Sequence, residues 1–312
     1  MLSADILDSR TAGQAGNVIC IVCGGTHAPT QRLPGLIQCN KCGFLSADLS
    51  ISDEELQVLY GQGYFKGEEY LDYIAEEPSL RLNFRNRLAT LKAVAPHLPR
   101  CDLFEIGCAY GFFLEEASQW VRSASGIDIS AEPVRFAVQK RGVEASQGDY
   151  LSLNLGRTFD VITMWDTIEH LKYPHLFIGK IAQDLKPGGL LALTTGDIGS
   201  LVARLQGRHW RLIHPPTHLH YFSAATISKL LHRKGFDVVH LSHPGNSRSL
   251  RAALYFITVL QMKRKGLYDT LQGFRIFDWH LTVNLFDIMY VIARRQSSPA
   301  LYANSGWPDR KP

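Results

Sequence analysis

The sequence has no apolar run approaching the roughly 20 residues that a membrane-spanning helix needs. Its longest, Ala-Ala-Leu-Tyr-Phe-Ile-Thr-Val-Leu at 252–260, is short, and Lys263, Arg264 and Lys265 follow it closely. It reads as a buried helix, with weak contact to a membrane surface as the second choice. Charge of one sign is also missing. The 33 Lys and Arg against 29 Asp and Glu leave a net +4, too little to call for nucleic acid on electrostatic grounds. The opening residues contain acids and no apolar core segment, so no secretory leader is expected, and the chain reads as cytoplasmic. Cysteine is scarce. Of the six, four form two spaced pairs, a pattern that in a cytoplasmic chain favours metal over disulfides.

Two nucleotide signatures are absent as well. A dinucleotide fold wants Gly-x-Gly-x-x-Gly, but Ala109 stands at the middle position and bulky Phe112 and Phe113 follow. A phosphate loop would need Gly-Lys-Ser/Thr, which does not occur at this junction. What is present is Glu105-x-Gly107-x-x-x-Gly111, a tight turn between an apolar strand and a helix, with a carboxylate beside it. That arrangement suits an ammonium and a sulfonium better than a pyrophosphate. Asp128, 21 residues after Gly107, ends the next strand, where an acid accepts from both hydroxyls of a ribose. Asp149, in Gly148-Asp149-Tyr150, follows the expected third strand and is placed to accept from an adenine amino group. Each acid alone has an ordinary reading: strand-end acid, helix cap, turn residue. Their order and spacing describe a ligand with an amine, a ribose and an adenine but no phosphate, which is S-adenosylmethionine. The expected cofactor-binding set is Glu105, Gly107, Ala109, Gly111, Asp128, Ile129, Asp149, Tyr150 and Trp165.

Cys20-Ile-Val-Cys23-Gly24 and Cys39-Asn-Lys-Cys42-Gly43 lie 15 residues apart. Two thiolates at i and i+3 of a tight turn share one ion, and the following glycine lets backbone N–H groups turn toward sulfur. Four such ligands suit a closed, tetrahedral structural zinc. Only Arg32 and Lys41 add positive charge nearby, so a stabilising or substrate-facing module fits better than a nucleic-acid reader.

These signals divide the chain into a leader (1–18), the four-cysteine zinc ribbon (19–48), a helical linker or lid (49–98), a large α/β domain (99–296) with a helical insertion near 246–284, and a tail (297–312). Ser52 is expected to cap a helix in the linker, where Tyr60, Tyr64, Phe65, Tyr70 and Tyr73 crowd together. From residue 100 short β-type runs alternate with helical periodicity, the mark of a largely parallel sheet. Pro174 opens a helix that Lys186-Pro187-Gly188-Gly189 is expected to stop, and Ser223 caps another that Gly235 closes.

The segments CIVCGG and CNKCG, GYFKGEEYLDY, LFEIGCAYGFFLEEA, GIDIS, FDVITMWDTIEHL, LKPGGLLALTT and PPTHLHYFS together resemble class I S-adenosylmethionine-dependent methyltransferases of the methyltransferase 23 type. The likeness runs from Cys20 to about Leu241 and extends to bacterial members that carry a four-cysteine zinc module, among them sugar C-methyltransferases. It implies a Rossmann-like, seven-stranded sheet with a reversed last strand, a role that FDIMYVIARR fits. It also implies a small-molecule acceptor, such as a sugar nucleotide or another glycan or natural-product precursor, with O- or C-methylation open. Glu105 departs from the Asp that many relatives carry. A nucleic-acid-modifying enzyme is the alternative, but neither a basic stripe nor an Asn/Asp-Pro-Pro-Tyr/Phe motif is visible. A ubiquinone-type O-methyltransferase is another, because those relatives carry an acid-x-x-Glu-His run associated with a divalent metal, similar to Asp166, Glu169 and His170.

Methyl transfer is an in-line displacement that depends mainly on positioning, and a base is needed only if the acceptor must lose a proton. Seven of the 12 histidines lie between 209 and 243. His218, His220 and Tyr221, on the loop after the fifth strand, and His170, after the fourth, are the catalytic candidates. His218 and His220, two apart, are expected to point the same way and act as a pair. Arg208, Trp210 and Arg211 are candidate contacts for an anionic acceptor.

Overall fold

The computed structural model describes residues 19–48, 51–52, 55 and 73–297. The expected leader, the aromatic residues Tyr60, Tyr64, Phe65 and Tyr70, and the tail beyond 297 lie outside them. Ser52 and Glu55 exchange side-chain and backbone bonds (2.8 and 3.1 Å), a capping box at the start of the linker.

Seven strands form the central sheet: β4 (Asp102–Ile106), β5 (Ser123–Asp128), β6 (Glu144–Gln147), β7 (Phe159–Trp165), β8 (Leu185–Gly196), β10 (Phe236–Ser242) and β13 (Ile288–Arg295). Their order is β10-β13-β8-β7-β4-β5-β6. The pairs among β4 to β8 are parallel, and β13 runs antiparallel to both β8 and β10. The fold is therefore α/β with a mostly parallel, Rossmann-like sheet and one reversed strand.

The central strands are near-continuous apolar runs because both their faces are covered. Alternation divides them between two cores. Phe104, Ile106, Ile162, Met164, Leu191 and Leu193 pack on one face. Leu103, Val161, Leu190, Ala192, Tyr290 and Ile292 pack on the other. The helix α1 (Glu77–Val94) buries Phe84, Leu88 and Leu91 in the second core, and Asn83 and Arg87 lie on the same buried face. Beyond the turn after β4 comes α2 (Phe112–Ala117), and α3 (Ala131–Phe136) follows β5. Arg81 and Arg85 of α1 clamp the buried Glu116 of α2 (both 2.8 Å), which fixes α1 over that turn.

Helix α4 (Pro174–Asp184) passes straight into β8 at Leu185. The helix stops before Lys186-Pro187-Gly188-Gly189, as expected, and that run leads into the strand: it lies within β8, where Gly188 takes a φ of +76° and the register against β7 shifts between Phe159 and Val161. The helix α5 (Leu201–Gln206) is followed by the short strand β9 (His220–Tyr221). The helix α6 (Ala224–Arg233) starts at the Ser223/Thr226 capping box and buries Ile227, Leu230 and Leu231.

The cysteine segment forms β1 (His27–Pro29), β2 (Leu36–Cys39) and β3 (Leu45–Ala47), and β9 completes that sheet by pairing with β3. Cys20, Val22, Cys23, Cys39 and Phe44 are continuous with the first core through Phe222, Ile227 and Leu230. Between β10 and β13 the expected helical insertion also has a β base. β11 (Asn246–Ser249) pairs antiparallel with β12 (His280–Val283), and α7 (Leu250–Tyr255) and α8 (Lys265–Leu271) lie between them.

Candidate active site

The chain steps outward from β4 to β5 and β6, then returns to place β7 on the other side of β4. A crevice opens at the carboxyl ends of strands where the order reverses, and ligands of open α/β sheets bind there. The turn at that end of β4 explains its glycines. Gly107 has φ +80° and Gly111 φ +76°, a region that side chains with a Cβ rarely adopt. A Cβ on Gly107 would lie 2.8 Å from Thr167 Oγ1, and one on Gly111 2.8 Å from Ala137 Cβ. The N–H groups of Gly107 and Cys108 both donate to the Ile127 carbonyl (2.8 and 3.1 Å), which binds the turn to β5.

Asp128 is held by two backbone donors, Ala109 N to Oδ2 (2.9 Å) and Ser130 N to Oδ1 (2.8 Å). The Ser130 side chain and the Ile129 backbone also bond this carboxylate. Burial raises its pKa, and those backbone donors oppose the rise. Glu105 is 2% exposed, and its Oε2 has no hydrogen-bond partner among the described residues. Burial, reinforced by the charge of Asp128, holds its pKa well above the usual carboxylate range, and Arg87 partly counters this. An orphaned buried carboxyl oxygen is costly unless a ligand satisfies it. Here it lies beside a backbone-lined turn, where a cationic group would satisfy it.

The other expected cofactor residues divide. Ile129, 45% exposed, follows Asp128 and offers an apolar face. Asp149 is exposed and caps a short turn, accepting from Leu151 N (3.0 Å) and Ser152 Oγ (2.9 Å). Tyr150 departs from expectation: its ring packs against Phe104 and Phe177 and its hydroxyl donates to Asp184 (2.6 Å), so the side chain belongs to the core. Trp165 is buried against Phe113 and Tyr290, and its indole Nε1 has no hydrogen-bond partner among the described residues.

A cleft joins Glu105, Gly107, Trp165 and Asp166 to Tyr73 and Arg248. Its roof is made by α1 and β11, where Asn83 and Ser247 bond reciprocally (3.0 and 2.7 Å). Arg87 on α1 donates to Asp166 Oδ2 (3.0 Å), and its guanidinium lies 5.2 Å from the centre of the Trp165 ring. Burial pushes the Asp166 pKa up, but Arg87 and the Thr194 hydroxyl outweigh it and leave it lowered. Arg87 and Arg248 were missed from the sequence. Arg87 had a signal, a cation inside the apolar stripe of a helix. Arg248 had none, because its place depends on the β11–β12 pairing. Of the expected anion contacts, Trp210 and Arg211 bond Asp287 (both 2.9 Å) and Arg208 reaches His209.

The catalytic candidates divide too. His218 is 5% exposed and donates from Nδ1 to the Leu212 carbonyl (2.8 Å), which leaves the lone pair on Nε2. Burial, with the neighbouring His170 and His214, depresses its pKa well below the ordinary histidine value. His170 donates likewise to the Thr217 carbonyl (2.9 Å), and its ring centre is 4.6 Å from that of His218. Ligand atoms of Glu169, His170 and His218 all lie within 4.8 Å of one another. His220 is held differently. Nε2 faces the Lys172 carbonyl (3.4 Å), Nδ1 faces Ser46 Oγ (3.1 Å), and the ring stacks on Phe44. The expected His218–His220 pair is therefore split between two environments. Tyr221 is buried and donates to the His218 carbonyl (3.0 Å), and burial raises its pKa, so it braces the loop. The four sulfurs of Cys20, Cys23, Cys39 and Cys42 also lie within 4.8 Å of one another, a set of the size and chemistry a tetrahedral zinc requires.

Residues 73–241, more than half of the chain, match the family model described as a methyltransferase domain. The chain belongs to this methyltransferase family. The matched region begins after the cysteine segment. The chain is similar to ubiquinone biosynthesis O-methyltransferase of Nitrosococcus oceani, 30% identical over 100 residues, covering 30% of this chain and 42% of that one. It is also similar to the protein of that name from Chelativorans, 34% identical over 100 residues, covering 30% and 39%. The match thus spans about two-fifths of these relatives' length. Among solved structures, magnesium protoporphyrin IX methyltransferase of Synechocystis PCC 6803 with bound SAH is similar (TM-score 0.51, 15% identity, covering 78% of this chain and 100% of that one), a likeness of fold.

Proposed function

We propose that this chain transfers a methyl group from S-adenosylmethionine to a small-molecule acceptor. The observation that carries the reading is the buried, unsatisfied Oε2 of Glu105, beside a turn that also fixes Asp128. Glu105 would hold the ammonium end, Asp128 the ribose hydroxyls, and Ile129 and Asp149 the adenine. When bound, the cofactor supplies a methyl on a positively charged sulfur. The remaining work belongs to the chain: α1 and β11 cover the cleft, and Trp165 and Arg87 form one wall. Arg248 lines the cleft and offers a cation to an anionic acceptor such as a sugar nucleotide. His218 is the proton acceptor in this reading, because burial keeps it neutral and its Nε2 retains the lone pair.

A second reading draws on the Glu169, His170 and His218 cluster, which has the donors for a divalent cation, and on the ubiquinone-type relatives. There an O-methylated phenol replaces the sugar. The zinc belongs to the proposal too, as a closed structural site in the cysteine module. The test is transfer of labelled methyl to sugar nucleotides and to catechols, with and without added magnesium after chelation. Sugar labelling that ignores magnesium supports the first reading and excludes the second. Catechol labelling that needs magnesium does the reverse. S-adenosylhomocysteine failing to bind would reject both.

A further inference from the structure

The strand β12 is exposed along its whole length. His280 reaches Ser79 Oγ of α1 (2.6 Å), and Thr282 reaches Ser247 Oγ of β11 (2.6 Å). The residues that alternate with them, Leu281 and Val283, are 49% and 53% exposed. The same stretch also exposes Phe274 (59%), Ile276 (56%), Trp279 (67%) and Phe286 (64%) among the described residues. This density of large bare side chains exceeds the scattered apolar residues of an ordinary surface.

The charges on this segment name its partner. Lys263, Arg264 and Lys265 are all exposed, next to the exposed Met262. Residues 250–286 hold five Lys and Arg against two Asp, a surplus of three out of the chain's +4. Bare aromatic and branched aliphatic side chains in the same segment as a cationic run match a bilayer with anionic headgroups: rings enter the interfacial layer while ammonium and guanidinium groups meet phosphate. No described helix is long and apolar enough to cross a membrane, so contact would be at the surface.

We propose that residues 262–286 dock this protein on an anionic membrane surface. β11, paired with β12, carries Asn246, Ser247 and Arg248 along the cleft, so docking sets the cleft's mouth beside the bilayer. The inference stands apart from the cofactor reading, since it uses none of the residues that would hold S-adenosylmethionine.

The full chain should sediment with phosphatidylcholine vesicles containing about one-third phosphatidylglycerol, and about tenfold less with pure phosphatidylcholine or at high salt. Lys263→Glu with Arg264→Glu and Lys265→Glu should cut anionic binding to the pure-phosphatidylcholine level. Trp279→Ser with Phe286→Ser should abolish it. All five side chains are exposed, so melting temperatures should hold, and S-adenosylhomocysteine affinity serves as a second check of folding. Failure of the native chain to bind anionic vesicles overturns the proposal, as does binding that both variants retain. A dimer in sedimentation that the Trp279/Phe286 variant dissolves, without vesicle binding, would assign the face to a second copy of the chain.

Discussion

At the scale of single residues, hydrogen bonding rather than spacing separates the histidines. His218 keeps a lone pair on Nε2, whereas both nitrogens of His220 face partners. His218→Ala should therefore lower turnover by about 100-fold or more, the scale of a lost general base, with little change in S-adenosylhomocysteine affinity. His220→Gln should lower it far less. Equal losses in steady-state assays would show that the loop, not the base, was damaged. The acid limb of the rate profile should lie below 6.5, the ordinary histidine value, because the base must be neutral and burial lowers its pKa. Stability carries the same signature. His220 is depressed to about 4 by burial, so the folded state binds fewer protons than the unfolded state between that value and 6.5. Its stabilising share is complete above 6.5 and is lost as pH falls through about 4. Melting temperature should fall across that window and fall less in His220→Gln. A flat profile in the native chain would contradict the buried, neutral ring. Asp128→Ala should weaken S-adenosylhomocysteine by about 1.5–3 kcal/mol through lost charge-assisted bonds, measured by calorimetry.

At the scale of elements, the cysteine module shares a sheet with the loop that bears His218. β3 pairs with β9 through Leu45↔Tyr221 and Ser46↔His220, and Ala47 N donates to the Leu219 carbonyl (2.9 Å). Purified protein should hold one zinc per chain by elemental analysis. Cys39→Ser should lose that zinc and the order of the module, retain S-adenosylhomocysteine binding, and yet lose turnover, because loop 214–222 loses its strand partner. Full turnover without zinc would separate the module from the chemistry. How legible such elements were depends on whether their causes are local. The strands of the large sheet, the Ser223 cap and the glycine turn follow from adjacent residues, and so could be read directly. The β3–β9 and β11–β12 pairings join residues 174 and 35 positions apart at Ser46↔His220 and Ser247↔Thr282, and no local pattern encodes such partners. Tyr150 misled because a buried aromatic after a strand looks the same whether it lines a ligand or fills a core; the Asp184 partner, 34 positions away, decides it.

At the scale of the whole molecule, the sheet sets out the parts. Its strand-order reversal opens the crevice, α1 and β11 roof it, and the cysteine module braces the loop that bears His218. The family match lies within residues 73–241. In the proposed reading Glu105 holds the cofactor's ammonium. In the free protein burial favours its protonated form. A cationic partner favours the carboxylate, so binding should release a proton and tighten as pH rises. Calorimetric titration of S-adenosylhomocysteine into the full chain, in buffers of different ionisation enthalpy, measures this directly. One-to-one binding with proton release is expected, and Glu105→Gln should weaken the binding and remove the release. Binding without proton release, an unaffected Glu105→Gln variant, or binding of NADH in place of S-adenosylhomocysteine would contradict it.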